Sequence, residues 1–207
     1  MVAVASSYLE QLKAKLTRHF DFLPESELHY AQITFDLAAR SNIRNEAYLL
    51  LKSAVMYAFE NNELCLVKET NEVNDAWIER LEDALIAAAK VHVVPSDEHM
   101  STALTGILMT PGPIDLKLKR KIMHYRKQQS YWFGLRGWTS FRMILIETDS
   151  NTVTASKEAK HSAKFLRTWG NLRLYNAGLQ AAASPLPSGG AAFKNGDPGL
   201  LQRSAIQ

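Results

Sequence analysis

Cys65 is the single cysteine among 207 residues, so neither an internal disulfide nor a zinc site built from several thiolates can hold this chain together. That usage fits a reducing compartment. No stretch reaches the roughly 18 to 20 apolar residues that a helix needs to cross a bilayer. The densest short runs, residues 48–59 and 141–146, are interrupted or too short. The opening Met1-Val2-Ala3-Val4-Ala5-Ser6-Ser7 lacks the basic flank and longer apolar stretch of a secretory signal. Together these absences predict a cytoplasmic protein with no membrane span.

Catalytic signatures are also missing. There is no GxSxG elbow, P-loop, GxGxxG fingerprint or kinase set. The histidines, His19, His29, His92, His99, His124 and His161, show no HExxH and no carboxylate at ligand spacing. His92, between Val91 and Val93, reads as facing out from a short strand, and His99 as lying in a polar loop. Cys65 has no histidine or lysine beside it and sits in the apolar run Leu64 to Val67, the setting of a buried, unreactive thiol. The sequence therefore predicts no catalytic residues, no metal, no cofactor and no enzymatic activity.

What is present suffices for a core, since 46% of residues are hydrophobic and 22% charged, ordinary values for a globular chain. Leu9, Leu12, Leu16 and Phe20 recur at helical spacing behind Ser6-Ser7 and predict a first amphipathic helix. Pro24, with Glu25 and Glu27, opens a second that runs through Leu28, Ala31, Phe35 and Ala38. Residues 43–61 are apolar over most of a helical circumference and predict a central core helix. Leu64 to Val67 reads as a strand. Asn74-Asp75 precede a helix with Trp77, Leu81, Ala84, Leu85 and Ala88 on one face. Val91 to Val94 reads as a short strand, and residues 101–109 as a further helical turn or two. Thr110-Pro111-Gly112-Pro113 must break regular structure.

Residues 115–129 predict a basic helix. The runs 131–133 and 141–147 predict a hairpin-like strand pair joined through Gly134 to Trp138, and residues 155–183 a helix through Phe165, Leu166, Trp169, Leu172 and Tyr175, kinked at Gly170. Gly134-x-x-Gly137 resembles the clamp loop of KH domains, but its strand-like flanks favour a plain turn. From Ser184 onward Pro, Gly and Ser dominate, and too few large apolar groups remain to offset chain entropy. The expected organisation is one globular domain over 1–183 and a flexible tail over 184–207, with Leu200-Leu201 and Ile206 as a short linear motif. The expected fold class is α+β, mainly α, a helical domain with a small sheet or hairpin in its second half.

Charge is strongly divided. Up to Ile114 there are 9 Lys and Arg against 16 Asp and Glu, and beyond it 15 against 5. Such asymmetry predicts a polarised surface potential. The basic half concentrates in residues 117–142, which hold eight Lys and Arg, no acid, and Tyr125, Tyr131, Trp132, Phe133, Trp138 and Phe141. Lys119, Arg120, Arg126, Lys127, Arg136 and Trp138 are accordingly the expected partner-binding residues, for an acidic protein surface. The alternative is nucleic acid, with cations on phosphates and aromatics stacked on bases.

The opening helix Ser7-Tyr8-Leu9-Glu10-Gln11-Leu12-Lys13, the charge-divided body and the tail after Ala183 resemble the LvgA-like adaptor subunits of the Legionella Dot/Icm type IV secretion coupling complex. The resemblance implies a non-enzymatic, chaperone-like subunit that works beside IcmS and IcmW on DotL to recruit effectors. It transfers no functional residue.

Overall fold

The computed structural model describes residues 3–48, 55–97, 99–164 and 166, with side chains over 8–42, 61–97, 99–164 and 166. In chain order the elements are α1 (Ala3–Leu16), β1 (Asp21–Phe22), β2 (His29–Tyr30), β3 (Ile33–Thr34), β4 (Leu37–Tyr48), β5 (Val55–Glu69), α2 (Asp75–His92), β6 (His99–Thr110), α3 (Leu116–His124), β7 (Lys127–Ser130), β8 (Trp138–Glu147) and β9 (Thr152–Ala155).

These form a mixed sheet of seven strands in the order β1-β4-β5-β6-β8-β7, while β2 and β3 make a separate pair. β4 and β5 are antiparallel, and β5, β6 and β8 run parallel. β7 pairs with Trp138 to Phe141 of β8 and β9 with Ile144 to Glu147, so two short strands share one edge. β5 begins at Val55, but its pairing with β6 starts only at Glu60 opposite His99. The β4–β5 hairpin therefore extends past the start of the parallel strands.

Period-two alternation divides the core into two layers. On one face Leu64, Leu66, Leu104, Leu108, Phe141, Met143 and Leu145 meet the buried stripes of α2 and α3. On the other Cys65, Val67, Ile107, Met109, Ile144 and Ile146 meet Tyr8, Leu12 and Leu16 of α1 and Ala159, Ala163 and Leu166. Among the described residues this is a three-layer α/β/α arrangement, and it overturns the mainly helical expectation.

Several of the corrections have a common cause. Residues 43–48 and 55–61 are strands, not a core helix; where apolar residues dominate, as over 48–59, helical and strand spacing are both satisfied. Residues 101–109 are the middle of β6, whose side chains are nearly all buried because helices cover both faces. At Gly106 an added Cβ would lie 2.8 Å from Leu81 Cδ1, so the bare glycine leaves room for the Leu81 side chain of α2 against the sheet. The expected second helix is instead a 3-10 turn at Glu25–Glu27 followed by β2 and β3. Val91 and His92 end α2 and form no strand. The basic helix stops at His124 and β7 follows.

Other readings match. α2 occupies its expected place, and α1 does so as far as Leu16, stopping short of Phe20. Asn74 caps α2, its side chain accepting from the Trp77 amide at 3.1 Å. Burying Ile78, Leu81 and Leu85 of α2 stabilises the fold by about 1.5–3 kcal/mol per side chain. The expected helix over 155–183 overlaps a helical segment at 160–164 and 166, while Trp169, Gly170, Leu172, Tyr175 and the tail 184–207 lie outside the described residues. No helix among the described residues is long and apolar enough to cross a membrane, which says nothing of a β-barrel.

Candidate functional site

The basic segment does not present one continuous cationic surface, because the acidic half of the chain folds against it. Lys121 donates to Asp75 at 2.6 Å and Lys127 to Glu82 at 2.6 Å, so α2 supplies anions to α3 and β7. The hydrogen bond between Lys121 and Asp75 raises the pKa of the ammonium and lowers that of the carboxyl. Lys119 is drawn inward to Glu147 at 2.7 Å. Arg142 lies 3.8 Å from Glu63. Three of these four contacts, all but Lys119–Glu147, join the acidic half of the chain to the basic half and offset part of its asymmetry.

Of the residues expected to bind a partner, Lys119 and Lys127 are held in these pairs. Arg136 pairs loosely with Asp97 at 3.5 Å, and its guanidinium also lies 5.0 Å from the centre of the Trp132 ring. Arg120 and Arg126 are exposed and are in none of these ion pairs. Trp138 starts β8 and is about one-third exposed, at 36%.

The sharper feature is the connection from β7 to β8. Trp132 (67%), Phe133 (104%) and Leu135 (75%) are displayed to solvent within four residues. Scattered exposed hydrophobics are ordinary; adjacent large ones mark interaction sites. The backbone has positive φ from Trp132 to Gly134, 51° at Trp132, 56° at Phe133 and 91° at Gly134. For bulky L-residues this costs about 1–2 kcal/mol each.

A bonded frame sustains that geometry. The Tyr131 amide donates to the Gly137 carbonyl at 3.0 Å, and the Gly134 and Arg136 amides donate to the Tyr131 carbonyl at 2.9 and 3.2 Å. Gly137, with φ of 78°, is pressed against the start of β6, where a Cβ would meet the His99 carbonyl oxygen at 2.4 Å. The buried His99 completes the anchor. Its Nδ1 is 2.9 Å from the Arg136 carbonyl, which can only accept, so Nδ1 carries the hydrogen. In the neutral ring Nε2 then accepts from the Thr102 hydroxyl at 2.9 Å. The Tyr131 hydroxyl bonds Thr139 at 3.0 Å, and its ring meets His99 edge-on at 6.0 Å.

His99 is therefore a buried strut rather than a loop residue, and the GxxG element is a turn leading into β8, flanked on its other side by a 3-10 turn, Trp132–Gly134, and not by a strand. The sequence placed Trp132 and Phe133 in a strand. The signal that could have moved them out was the spacing of Gly134 and Gly137, glycines being the residues that accept positive φ. Met100, at 37% exposure, adds apolar surface on the adjoining start of β6.

Among the described residues no group of three or more His, Cys, Asp or Glu is gathered as a metal site. Cys65 is buried and free, and burial pushes its thiol pKa up to about 12.

The fold and the anchored loop define an α/β/α domain with a mixed sheet and one rigid aromatic projection. Residues 5–168 match the model of the family described as a domain of unknown function, DUF8052, and the chain belongs to that family. No curated protein matches the chain, and no solved structure matches it.

Proposed function

We propose that the protein is a non-catalytic adaptor, a cytoplasmic docking subunit of a larger assembly. Trp132, Phe133 and Leu135 enter an apolar cleft on a protein partner, and the rim of that cleft is acidic. The observation that carries this reading is the wholly exposed Phe133, held beside Trp132 in left-handed backbone by a bonded frame. Backbone strain kept at a displayed position is a motive for a functional reading. Tryptophan and arginine are the side chains on which interface energy concentrates, and a rigid loop loses little entropy on binding. Arg136 beside Trp132 and the exposed Arg126 would meet the acidic rim and orient the encounter. A role in type IV secretion, with IcmS, IcmW and DotL as neighbours and effectors as cargo, is the narrower version implied by the adaptor resemblance, and rests on it alone.

Nucleic acid is the second reading, supported by two exposed aromatic rings within stacking reach of a single strand. It has less support because Lys119, Lys121 and Lys127 are already paired with carboxylates, which leaves fewer cations to displace counterions from phosphate.

Affinity capture of the tagged full chain from its native host compares the wild type with Trp132→Ala/Phe133→Ala and with Lys160→Glu. The proposal expects a defined partner retained by the wild type and by Lys160→Glu and lost with the loop variant, whose circular dichroism stays native. Equal capture by all three contradicts it. Loop-dependent binding of a single-stranded oligonucleotide that falls steeply with salt would transfer the loop to the second reading.

A further inference from the structure

The sheet face opposite α2 is not sealed. Between α1 and the helical segment at 160–164 lies a cavity of about 420 Å³, within the size range of small-molecule sites. Leu12, Leu16, Phe20, Ile107, Ile144 and Leu166 give it apolar walls, while Ser41 of β4 and Glu63 of β5 bring polar groups to it.

Glu63 is the group here that lacks a partner. It stands directly opposite Ser41 in the β4–β5 register, on the same side of the sheet as Cys65 and Val67. Its side chain lines the cavity and keeps 36% of its surface accessible. Among the described residues the cation nearest its carboxylate is Arg142, whose Nη1 lies 3.8 Å from Oε1, beyond hydrogen-bond reach. Burial raises the Glu63 pKa, and Arg142 offsets only part of that rise. The carboxylate is therefore short of positive charge. Lys15 and His19 also line the cavity, but neither is among the groups that shift Glu63.

We infer that the cavity binds a small amphiphilic amine, with its alkyl body among Leu12, Leu16, Phe20, Ile107 and Ile144 and its ammonium on the Glu63 carboxylate, beside the Ser41 hydroxyl. An ammonium has three donors and no acceptor, which suits a carboxylate and a hydroxyl that face each other across a strand pair. A hydrogen bond between ions is also stronger than one between neutral groups, so the head group selects the amine while the apolar walls hold its chain. This inference is independent of the aromatic loop.

Decylamine, titrated at neutral pH and below its micelle concentration into the full chain by calorimetry, is the probe, with decanol as the neutral control and decanoate as the anionic one. The expected result is saturable single-site binding of decylamine, with decanol weaker by about tenfold or more and decanoate weaker still. Glu63→Gln keeps the shape and removes the charge, so it should weaken decylamine by about the same factor and leave decanol unchanged. A substitution that merely distorted the cavity would weaken both. Non-saturating heats, affinity for decanol or decanoate equal to that for decylamine, or wild-type decylamine affinity in Glu63→Gln would each overturn the assignment.

Discussion

Lys119 Nζ of α3 and Glu147 Oε2 at the end of β8 are 2.7 Å apart, and the other oxygen of Glu147 accepts from the Ile114 amide at 2.7 Å. One carboxylate therefore ties the start of the basic half to the last residue of β8. The side chains are 19% and 5% exposed, so a lysine that sequence alone assigns to a partner is a structural fastener.

Removing one member of a largely buried pair leaves the other uncompensated. Lys119→Met should cost about 2–3 kcal/mol in urea unfolding, discounted from a wholly buried pair because Lys119 keeps some contact with water. Arg120→Met, on the exposed neighbour, should stay within about 0.5 kcal/mol. Equal effects of the two substitutions would contradict the structural role of Lys119.

The two glycines of the aromatic loop should respond differently to alanine. Gly134 has φ of 91° and open space around it, so Gly134→Ala meets backbone strain alone, about 1–2 kcal/mol. Gly137→Ala also drives a Cβ to 2.4 Å from the His99 carbonyl oxygen and 2.6 Å from that of Met100. It should cost clearly more in thermal unfolding and release the His99 to Arg136 bond.

Tyr30 and His92 supply a pH dependence. The Tyr30 hydroxyl lies 2.6 Å from His92 Nε2. Burial lowers the His92 pKa below its ordinary 6.5, opposed by Glu27 and aided by Arg40. The unfolded chain then binds a proton at higher pH than the native one, so the stability held above pH 6.5 should be lost as pH falls through 6.5 toward the lowered native value. His92→Gln should flatten that part of a stability profile; an unchanged slope between about pH 7 and 5 would count against the assignment.

Cys65 offers a check on the second core layer. With its thiol raised to about 12 and its side chain buried, alkylation at pH 8 should be slow in the native protein and become fast on unfolding, since the thiolate is the reactive species. Rapid native labelling would show that α1 does not cover β5 as described.

α2 was legible because its signals were local: a capping asparagine at Asn74 and an apolar stripe of helical period. α1 shared that advantage. β4, β6 and the first part of β5 were not: β6 is covered on both faces and loses the alternation that marks a strand, and the runs at 43–61 and 101–109 satisfy a helix equally well, whereas Leu64 to Val67 of β5 was read as a strand. The basic segment 117–142 was read as an exposed cationic surface, but part of its charge is paired within the fold. Lys121 and Lys127 find their acids 46 and 45 residues away, through a packing of α2 against α3 and β7 that no local pattern announces. With those charges paired, the aromatic loop is displayed together with the exposed Arg120 and Arg126.

The docking role of that loop is tested most directly by placing a photo-crosslinking benzoylphenylalanine at Phe133 of the full chain in its native host, with Thr152 on β9 as the control position. The proposal predicts a discrete protein adduct from position 133 that is absent from position 152 and disappears when Trp132→Ala is added. No adduct from 133, adducts of equal yield from both positions, or a nucleic-acid adduct would contradict it.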